Sequence, residues 1–323
     1  MSISDSKVAN PQASSQAVSS PEEIVFFNNG FVPLSQANLS VKNHSFLYGT
    51  SLFEGIRAYW LPEKKQACVF RLREHLERLL HNARIFFMTP EEDIETLIEQ
   101  TCELVRQNHH EQDFYIRFTL YKDGMNLGPC LDNAKTAYLI WTHPLGNYVP
   151  IDKGLCITVS SWRRVDDNAI PPRAKAAGAY MNTALMITEA KRQGFDEVIT
   201  LTQEGNVSEG SAMNFFMVRN GKVITPARTE NILEGITRET LLEIIPAELG
   251  IAVEERIIDR TEVYCADEAF FSGTAAQVAP ITKIDGRLIG NGEVGEISKK
   301  IQALYFDVAK ARHTKYQKWC TLV

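Results

Sequence analysis

Two short stretches hold the residues best suited to chemistry. In PPRAKAAGAY, Pro171 to Tyr180, one lysine, Lys175, stands among small residues. In VSEGSAMNFF, Val207 to Phe216, one carboxylate, Glu209, does the same. A lysine amine condenses with an aldehyde only when it is desolvated enough to lose its proton and is not crowded by its neighbours. A buried carboxylate is costly unless something cationic faces it, and the protonated ring nitrogen of a bound cofactor is one candidate. Together the two suggest pyridoxal phosphate. Each has a plainer reading: most lysines are solvated, and the alternative for Glu209 is a turn carboxylate on a solvated loop.

Other chemistries find less support. Cys68, Cys102, Cys130, Cys156, Cys265 and Cys320 form no CxxC pair and have no histidines at zinc spacing, which argues against a metal site or redox motif. No HExxH or Walker loop occurs. The GNGEVG string at Gly290, Gly292 and Gly295 has too little chain after it for a dinucleotide unit and reads as a turn before the last helix. A net charge of -6 argues against nucleic acid and anionic membranes as partners, while leaving room for a local basic pocket. No segment is apolar for long enough to span a bilayer. Residues 1–22 are rich in serine and alanine with Lys7 as the only basic side chain, so they read as a disordered tail and not as a targeting segment. A cytoplasmic location is the expectation.

The elements that must position these residues follow from periodicity. At 323 residues, with 44% hydrophobic and 23% charged, the chain can bury two cores. A strand-rich opening, Ile24 to Phe31, leads into a loop around His44 and Tyr48. Leu72, Leu76, Leu79, Leu80 and Ala83 recur at helical spacing, as do Ile94, Leu97, Ile98, Cys102 and Val105, with His109 and His110 read as a solvated helix end. Between Asp113 and Tyr121 the period is two, placing Tyr115, Arg117 and Thr119 on one face. A strand at Ala137 to Trp141 precedes HPLGNYVPIDKG, which reads as a linker. Beyond it come strands at Leu155 to Ser160, Glu197 to Leu201, Asn214 to Val218 and Glu268 to Phe271. Helices are expected from about Met181 to Arg192, from near Ile236 with Pro246 ending or kinking it, and around Ile297, Ile301, Leu304 and Val308. The expected organisation is a tail (1–22), a small α/β domain (23–142), a linker (143–154) and a larger α/β domain (155–323) carrying the lysine.

PPRAKAAGAYMN resembles the cofactor-lysine segment of the branched-chain amino acid aminotransferases. Glu209 through Asn214, Phe215, Phe216, Thr225, Gly235, Ile236 and Thr237 to Arg238 resembles the signature of the wider class IV aminotransferases. LYGTSLFEGIRAY, FYIR and FFSGTAAQVAP are similar to further blocks, so the likeness runs from about Glu23 to about Ala311. It implies a mixed α/β, two-domain, fold-type IV pyridoxal-phosphate enzyme with the cofactor in the interdomain cleft. It further implies a homodimer in which the smaller domain of one subunit closes the site of the other, and no metal.

The same resemblance distributes roles. Lys175 would carry the cofactor, Tyr180 would bond its phenolic oxygen, and Glu209 would hold its ring-nitrogen proton. Arg57, Gly235, Ile236, Thr237 and Thr274 would hold the phosphate. The turn at Gly273, Thr274 and Ala275 would receive the substrate's α-carboxylate. Tyr48, Phe53, Tyr115, Arg117 and Tyr148 would line the side-chain pocket, where aromatic walls suit leucine, isoleucine or valine and Arg117 suits the distal carboxylate of glutamate. Packing roles remain open for each aromatic. Leu145 stands before Gly146 where many bacterial members carry tryptophan, and the DGMNLGP loop also differs, which bears on substrate range.

The expected reaction is transamination of L-leucine, L-isoleucine and L-valine with 2-oxoglutarate, giving 2-oxo acids and L-glutamate by a ping-pong course. The rivals on the same fold are a D-amino acid aminotransferase, an aminodeoxychorismate lyase and an amine transaminase. A non-catalytic binding protein that retains the fold would be expected to lack the lysine or the carboxylate, and neither is missing.

Overall fold

A computed structural model describes residues 22–323. The expected tail lies outside the described residues except for its last position. The first half of the chain supplies β1 (Ile24–Phe27), β2 (Gly30–Pro33), β3 (Ser51–Leu61), β4 (Gln66–Phe70), β5 (Phe114–Asp123) and β6 (Lys135–Pro144). The second supplies β7 (Leu155–Arg163), β8 (Glu197–Leu201), β9 (Val207–Gly210), β10 (Asn214–Arg219), β11 (Lys222–Pro226), β12 (Val253–Arg256), β13 (Glu268–Gly273), β14 (Gln277–Ile284) and β15 (Arg287–Leu288). These form two sheets, and β16 (Cys320–Leu322) crosses back to close the first, in the order β16-β4-β3-β5-β6-β1-β2. The last residues thus belong to the first sheet, which a simple division at 155 misses.

The first sheet is antiparallel, and alternation decides what each face does. On β5, Phe114, Ile116, Phe118 and Leu120 are fully buried. They pack with Leu72, Leu76 and Leu79 of α2 (Leu72–Ala83) and Leu97 and Leu104 of α3 (Ile94–Asn108). Burial of each such side chain is worth about 1.5–3 kcal/mol. Tyr115, Arg117 and Thr119 take the opposite face, as the period of two predicts, and β3 pairs in register with Gly55 opposite Arg117 and Arg57 opposite Tyr115. Gly55 leaves room there for the Tyr115 ring, which a Cβ would push aside.

The second sheet is mixed, in the order β12-β11-β10-β13-β14-β7-β8-β9, with β15 paired to β14. Its helices are α4 (Tyr180–Arg192), α5 (Ile236–Ile244) and α6 (Glu296–Ala309). Pro246 does not simply end α5; the chain widens into a π-helical turn, Ile245–Leu249, and stops at left-handed Gly250.

Two local expectations are corrected. The segment around His44 and Tyr48 is a helical turn, α1 (His44–Tyr48), and not a loop. The Asn43 side chain accepts a hydrogen bond from the Ser45 amide at its start, and left-handed Gly49 ends it. At the end of α3, His110 is not a solvated partner of His109. Its Nε2 lies 2.8 Å from the Thr142 hydroxyl and its ring packs on Phe114, so burial lowers its pKa.

Candidate active site

A cavity of about 350 Å³ opens between the two sheets. The lysine segment forms one wall. Its backbone is pinned to β3 by the Leu52–Ala176 bridge and by the Phe53 amide, which donates to the Lys175 carbonyl. Lys175 Nζ donates to the Tyr180 hydroxyl at 2.9 Å and lies 5.0 Å from the Phe53 ring centroid. The amine therefore sits over aromatic surface at the start of α4.

Opposite it stands Glu209 on β9, 2% exposed. Its Oε1 pairs with Arg164 Nη2 at 2.6 Å, and its Oε2 accepts from Asn214 Nδ2 at 2.9 Å and from the Leu233 amide at 3.2 Å. Burial raises the pKa of this carboxyl, with Arg164 opposing most strongly, then the Leu233 amide, Lys175 and Arg238. A second buried carboxyl on the wall, Glu197, is also raised by burial; its Oε1 accepts from the amides of Val198 and Ser211.

At one end of the cavity lies the start of α5. Gly235 is its cap and offers no side chain, so the first helical amides, at Ile236 and Thr237, are left uncovered beside the space. A Cβ at Gly235 would strike the Asn214 side chain. The guanidinium lining this space belongs to Arg78 of α2. Its Nε and Nη2 grip both oxygens of Glu54 at 2.8 and 2.6 Å, and its Nη1 donates to the Glu234 carbonyl at 2.6 Å. Three of its five N–H groups are used, leaving one on each terminal nitrogen.

Glu54 is 1% exposed and also accepts from His75 Nδ1 at 2.7 Å. Burial pushes its carboxyl up, but Arg78 and His75 together overcome this and hold it at about 2. Burial keeps His75 low, and Arg78 and Lys175 reinforce that against the pull of Glu54. His75 is therefore neutral, and its contact with Glu54 is a hydrogen bond from a neutral donor.

Elsewhere on the wall are Ser272, whose buried hydroxyl lacks a partner, and the turn Gly273, Thr274 and Ala275 between β13 and β14. The remaining side is aromatic. Phe53, Tyr115, Trp141 and Tyr148 line it with Arg117, whose Nη1 donates to the Tyr115 hydroxyl at 3.0 Å and whose Cζ stacks 3.3 Å from the Phe53 centroid. Tyr148, 61% exposed, stands at the mouth.

The structure thus gathers Lys175, Tyr180, Glu209, Gly235, Ile236, Thr237, Gly273, Thr274, Ala275, Phe53, Tyr115, Arg117 and Tyr148 around one space. Two residues expected there are not on its lining. Arg57 shares the face of Phe53 and Gly55 and stands at the cavity's edge, where its Nη2 holds the carbonyls of Leu145, a lining residue, and Gly146, each at 2.8 Å. Its Nε and Nη1 are buried with no partner among the described residues. Tyr48 does not line this chain's cavity; its hydroxyl accepts from the Gly128 amide and its ring is 38% exposed. Sequence reasoning also missed Arg78, Arg164 and Asn214. For Arg78 a signal existed: Glu54 alternates with Leu52, Ile56 and Ala58 on an apolar strand face, so it needed a buried cation.

Residues 51–284 match the amino-transferase class IV family. The chain belongs to that family. A probable branched-chain-amino-acid aminotransferase of Aquifex aeolicus is 46% identical over 93% of this chain and 97% of its own length. Among solved structures, the branched-chain aminotransferase of Thermoproteus uzoniensis, determined with norvaline, superposes with a TM-score of 0.89 at 40% identity, covering 93% of this chain and 99% of that one. The branched-chain amino acid aminotransferase of Thermobaculum terrenum, determined in its PLP form, gives 0.89 at 35% identity, covering 93% and 98%.

Proposed function

We infer that this chain is a branched-chain-amino-acid aminotransferase that uses pyridoxal 5'-phosphate to exchange the amino group of L-leucine, L-isoleucine or L-valine with 2-oxoglutarate. The observation that carries the reading is the single cavity that joins Lys175 with Tyr180, the buried Glu209, and the uncovered start of α5 beside Arg78. These residues fit the cofactor. Lys175 supplies an amine for its aldehyde and Glu209 a carboxylate for its ring nitrogen. The amides of Ile236 and Thr237, the Thr274 hydroxyl, the buried unpartnered Nε and Nη1 of Arg57 and the two free N–H groups of Arg78 supply donors for its phosphate. Bound there, the cofactor supplies an electron sink for the substrate's α-carbon.

The chain's own residues do the rest. Lys175 Nζ, held by Tyr180, takes and returns the proton at the substrate's α-carbon. The turn at Gly273–Ala275 presents backbone donors to the α-carboxylate. Phe53, Tyr115 and Tyr148 accept a branched aliphatic side chain, and Arg117 with the Tyr115 hydroxyl accepts the distal carboxylate of glutamate in the other half-reaction. Arg57 holds the Leu145–Gly146 carbonyls and through them the segment leading to Tyr148.

A homodimer belongs to this reading. Val41, Phe46, Leu47, Met125 and Leu127 are exposed apolar residues on and around α1 and the loop after β5, with Tyr48 among them. Such a patch suits a second copy of the chain, whose cavity Tyr48 would then reach. No helix among the described residues is long and apolar enough to cross a membrane, and we place the enzyme in the cytoplasm.

The test is an absorbance spectrum of the purified protein before and after L-leucine, then the same with D-alanine. A visible cofactor band that L-leucine alone discharges is expected. Lys175→Ala should lose that band and at least roughly 10²- to 10⁴-fold in turnover. A response confined to D-alanine, or normal turnover by Lys175→Ala, would overturn the reading.

A further inference from the structure

Glu209 and the ring nitrogen it would face share one proton, and two arrangements compete for it. Either the nitrogen carries the proton and the carboxylate is charged, or the carboxyl carries it and both partners are neutral. Only the first gives a ring that draws electrons strongly. A carboxylate with 2% exposure favours the second, since low dielectric penalises charge separation. Something in the protein must reverse that preference.

The donors around Glu209 differ in kind. Asn214 Nδ2 and the Leu233 amide are neutral and both act on Oε2. Neither Lys175 nor Arg238 makes an ion pair with Glu209: Lys175 donates to the Tyr180 hydroxyl, and Arg238 to Glu255 and the Pro226 carbonyl. Arg164 alone among the described residues pairs with it, through Nη2 on Oε1. Arg164 is itself well fixed. Its amide donates to the Leu201 carbonyl, its carbonyl accepts from Gln203 Nε2, and its Nε reaches the Asn231 carbonyl at 3.4 Å. With a side chain only 10% exposed, it is weakly screened.

We propose that Arg164 is the positioning residue that places the shared proton on the cofactor's ring nitrogen, by holding Glu209 as the carboxylate. This rests on Glu209 facing that nitrogen and goes beyond it, because it assigns the protonation state to a residue that acts through Glu209. Removing the guanidinium removes the nearest stabiliser of the charged arrangement and leaves the neutral donors, which hold the carboxylate less strongly. An adjacent opposite charge moves a carboxyl by about 1–3 pH units, so the equilibrium should swing roughly 10- to 1000-fold toward the neutral pair.

The experiment is the ¹⁵N chemical shift of the ring nitrogen in holoenzyme loaded with ¹⁵N-labelled pyridoxal phosphate. Wild-type protein should give the pyridinium shift at neutral pH, Arg164→Met a shift moved toward neutral pyridine, and Arg164→Lys a shift close to wild type. A role confined to packing would alter melting temperature in both variants without moving the shift. A wild-type nitrogen that is already neutral overturns the proposal without any variant. An Arg164→Met shift equal to wild type overturns it too, provided Glu209→Gln does move the shift. If Glu209→Gln leaves the shift untouched, the seating of the ring on Glu209 is wrong and this inference falls with it.

Discussion

Each sheet buries a glutamate beside an arginine that lines the cavity, yet the two pairs are tuned in opposite directions. On the first sheet, on the face of β3 turned toward α2, Glu54 takes Arg78 on both oxygens and His75 on one, and its carboxyl is held at about 2. On the wall of the second, Glu209 takes Arg164 on one oxygen and two neutral donors on the other, and its carboxyl is raised. A bidentate cation saturates a carboxylate and makes it a structural clamp. A one-armed cation leaves room on the oxygens for another partner, at the cost of poorer stabilisation of the charge. The first arrangement suits a residue that aims something else, here Arg78; the second suits a residue that waits for a ligand.

The largest effect should separate the two by stability. Removing one partner of a buried pair costs about 3–5 kcal/mol, so Glu54→Gln should lower the unfolding free energy by that order in denaturant titrations. Glu209→Gln should cost less, about 1.5–3 kcal/mol, the worth of one hydrogen bond to a charged group, because Arg164 meets Glu209 through a single nitrogen whereas Arg78 grips Glu54 through two. Equal losses would mean that the clamp and the receptor are not different in kind.

A smaller effect divides the clamp by pH. Glu54 moves from 4.5 unfolded to about 2 folded, so it contributes stability above about 4.5 that is lost as pH falls toward about 2. His75, lowered from 6.5, is buried neutral. It costs nothing above 6.5, and stability falls as the pH drops below that value, where the unfolded chain binds a proton that the folded chain refuses. His75→Gln should therefore make the fall in stability below about pH 6.5 shallower, with His110 keeping its share, and leave the loss below 4.5 in place. An unchanged slope just below 6.5 would put the titrating group elsewhere.

How far these features could be read from sequence depends on how local their causes are. The face shared by Tyr115 and Arg117 follows from a period of two and needs no tertiary information. Lys175 and Glu209 stand out because their neighbours are small. For Arg78 the signal at Glu54 asks for a buried cation without saying which, since Arg73, Glu74, His75, Glu77 and Arg78 crowd one helix; only the packing of α2 over β3, with Glu54 beneath, turns Arg78 inward. The position of Arg57 followed from its face, one alternation on from Gly55, where the Leu145 segment closes over the strand. Its pairing did not: only the fold shows that Nη2 alone is spent on that segment while Nε and Nη1 stay buried without a partner among the described residues. Five residues are too few to show helical periodicity in α1, whose Asn43 and Gly49 caps were the available signal.

The smallest effect tests the aromatic side against the two buried pairs. A Cβ placed on Gly55 meets the outer end of the Tyr115 ring, which is a side chain that can turn aside and not a fixed backbone. Gly55→Ala should therefore cost little stability while moving Tyr115 off Arg117 and breaking their 3.0 Å hydrogen bond. Arg117 would keep its stacking on Phe53 but lose the hydroxyl that helps it receive a distal carboxylate. One hydrogen bond to a charged group is worth about 1.5–3 kcal/mol at most, and the free guanidinium recovers part of that from water. The expected outcome is a KM for glutamate raised several-fold, with the KM for leucine moved less and the ¹⁵N shift of the ring nitrogen unchanged. A leucine KM that rises as much as that for glutamate would show that Tyr115 shapes the apolar pocket and not the reception of the second carboxylate.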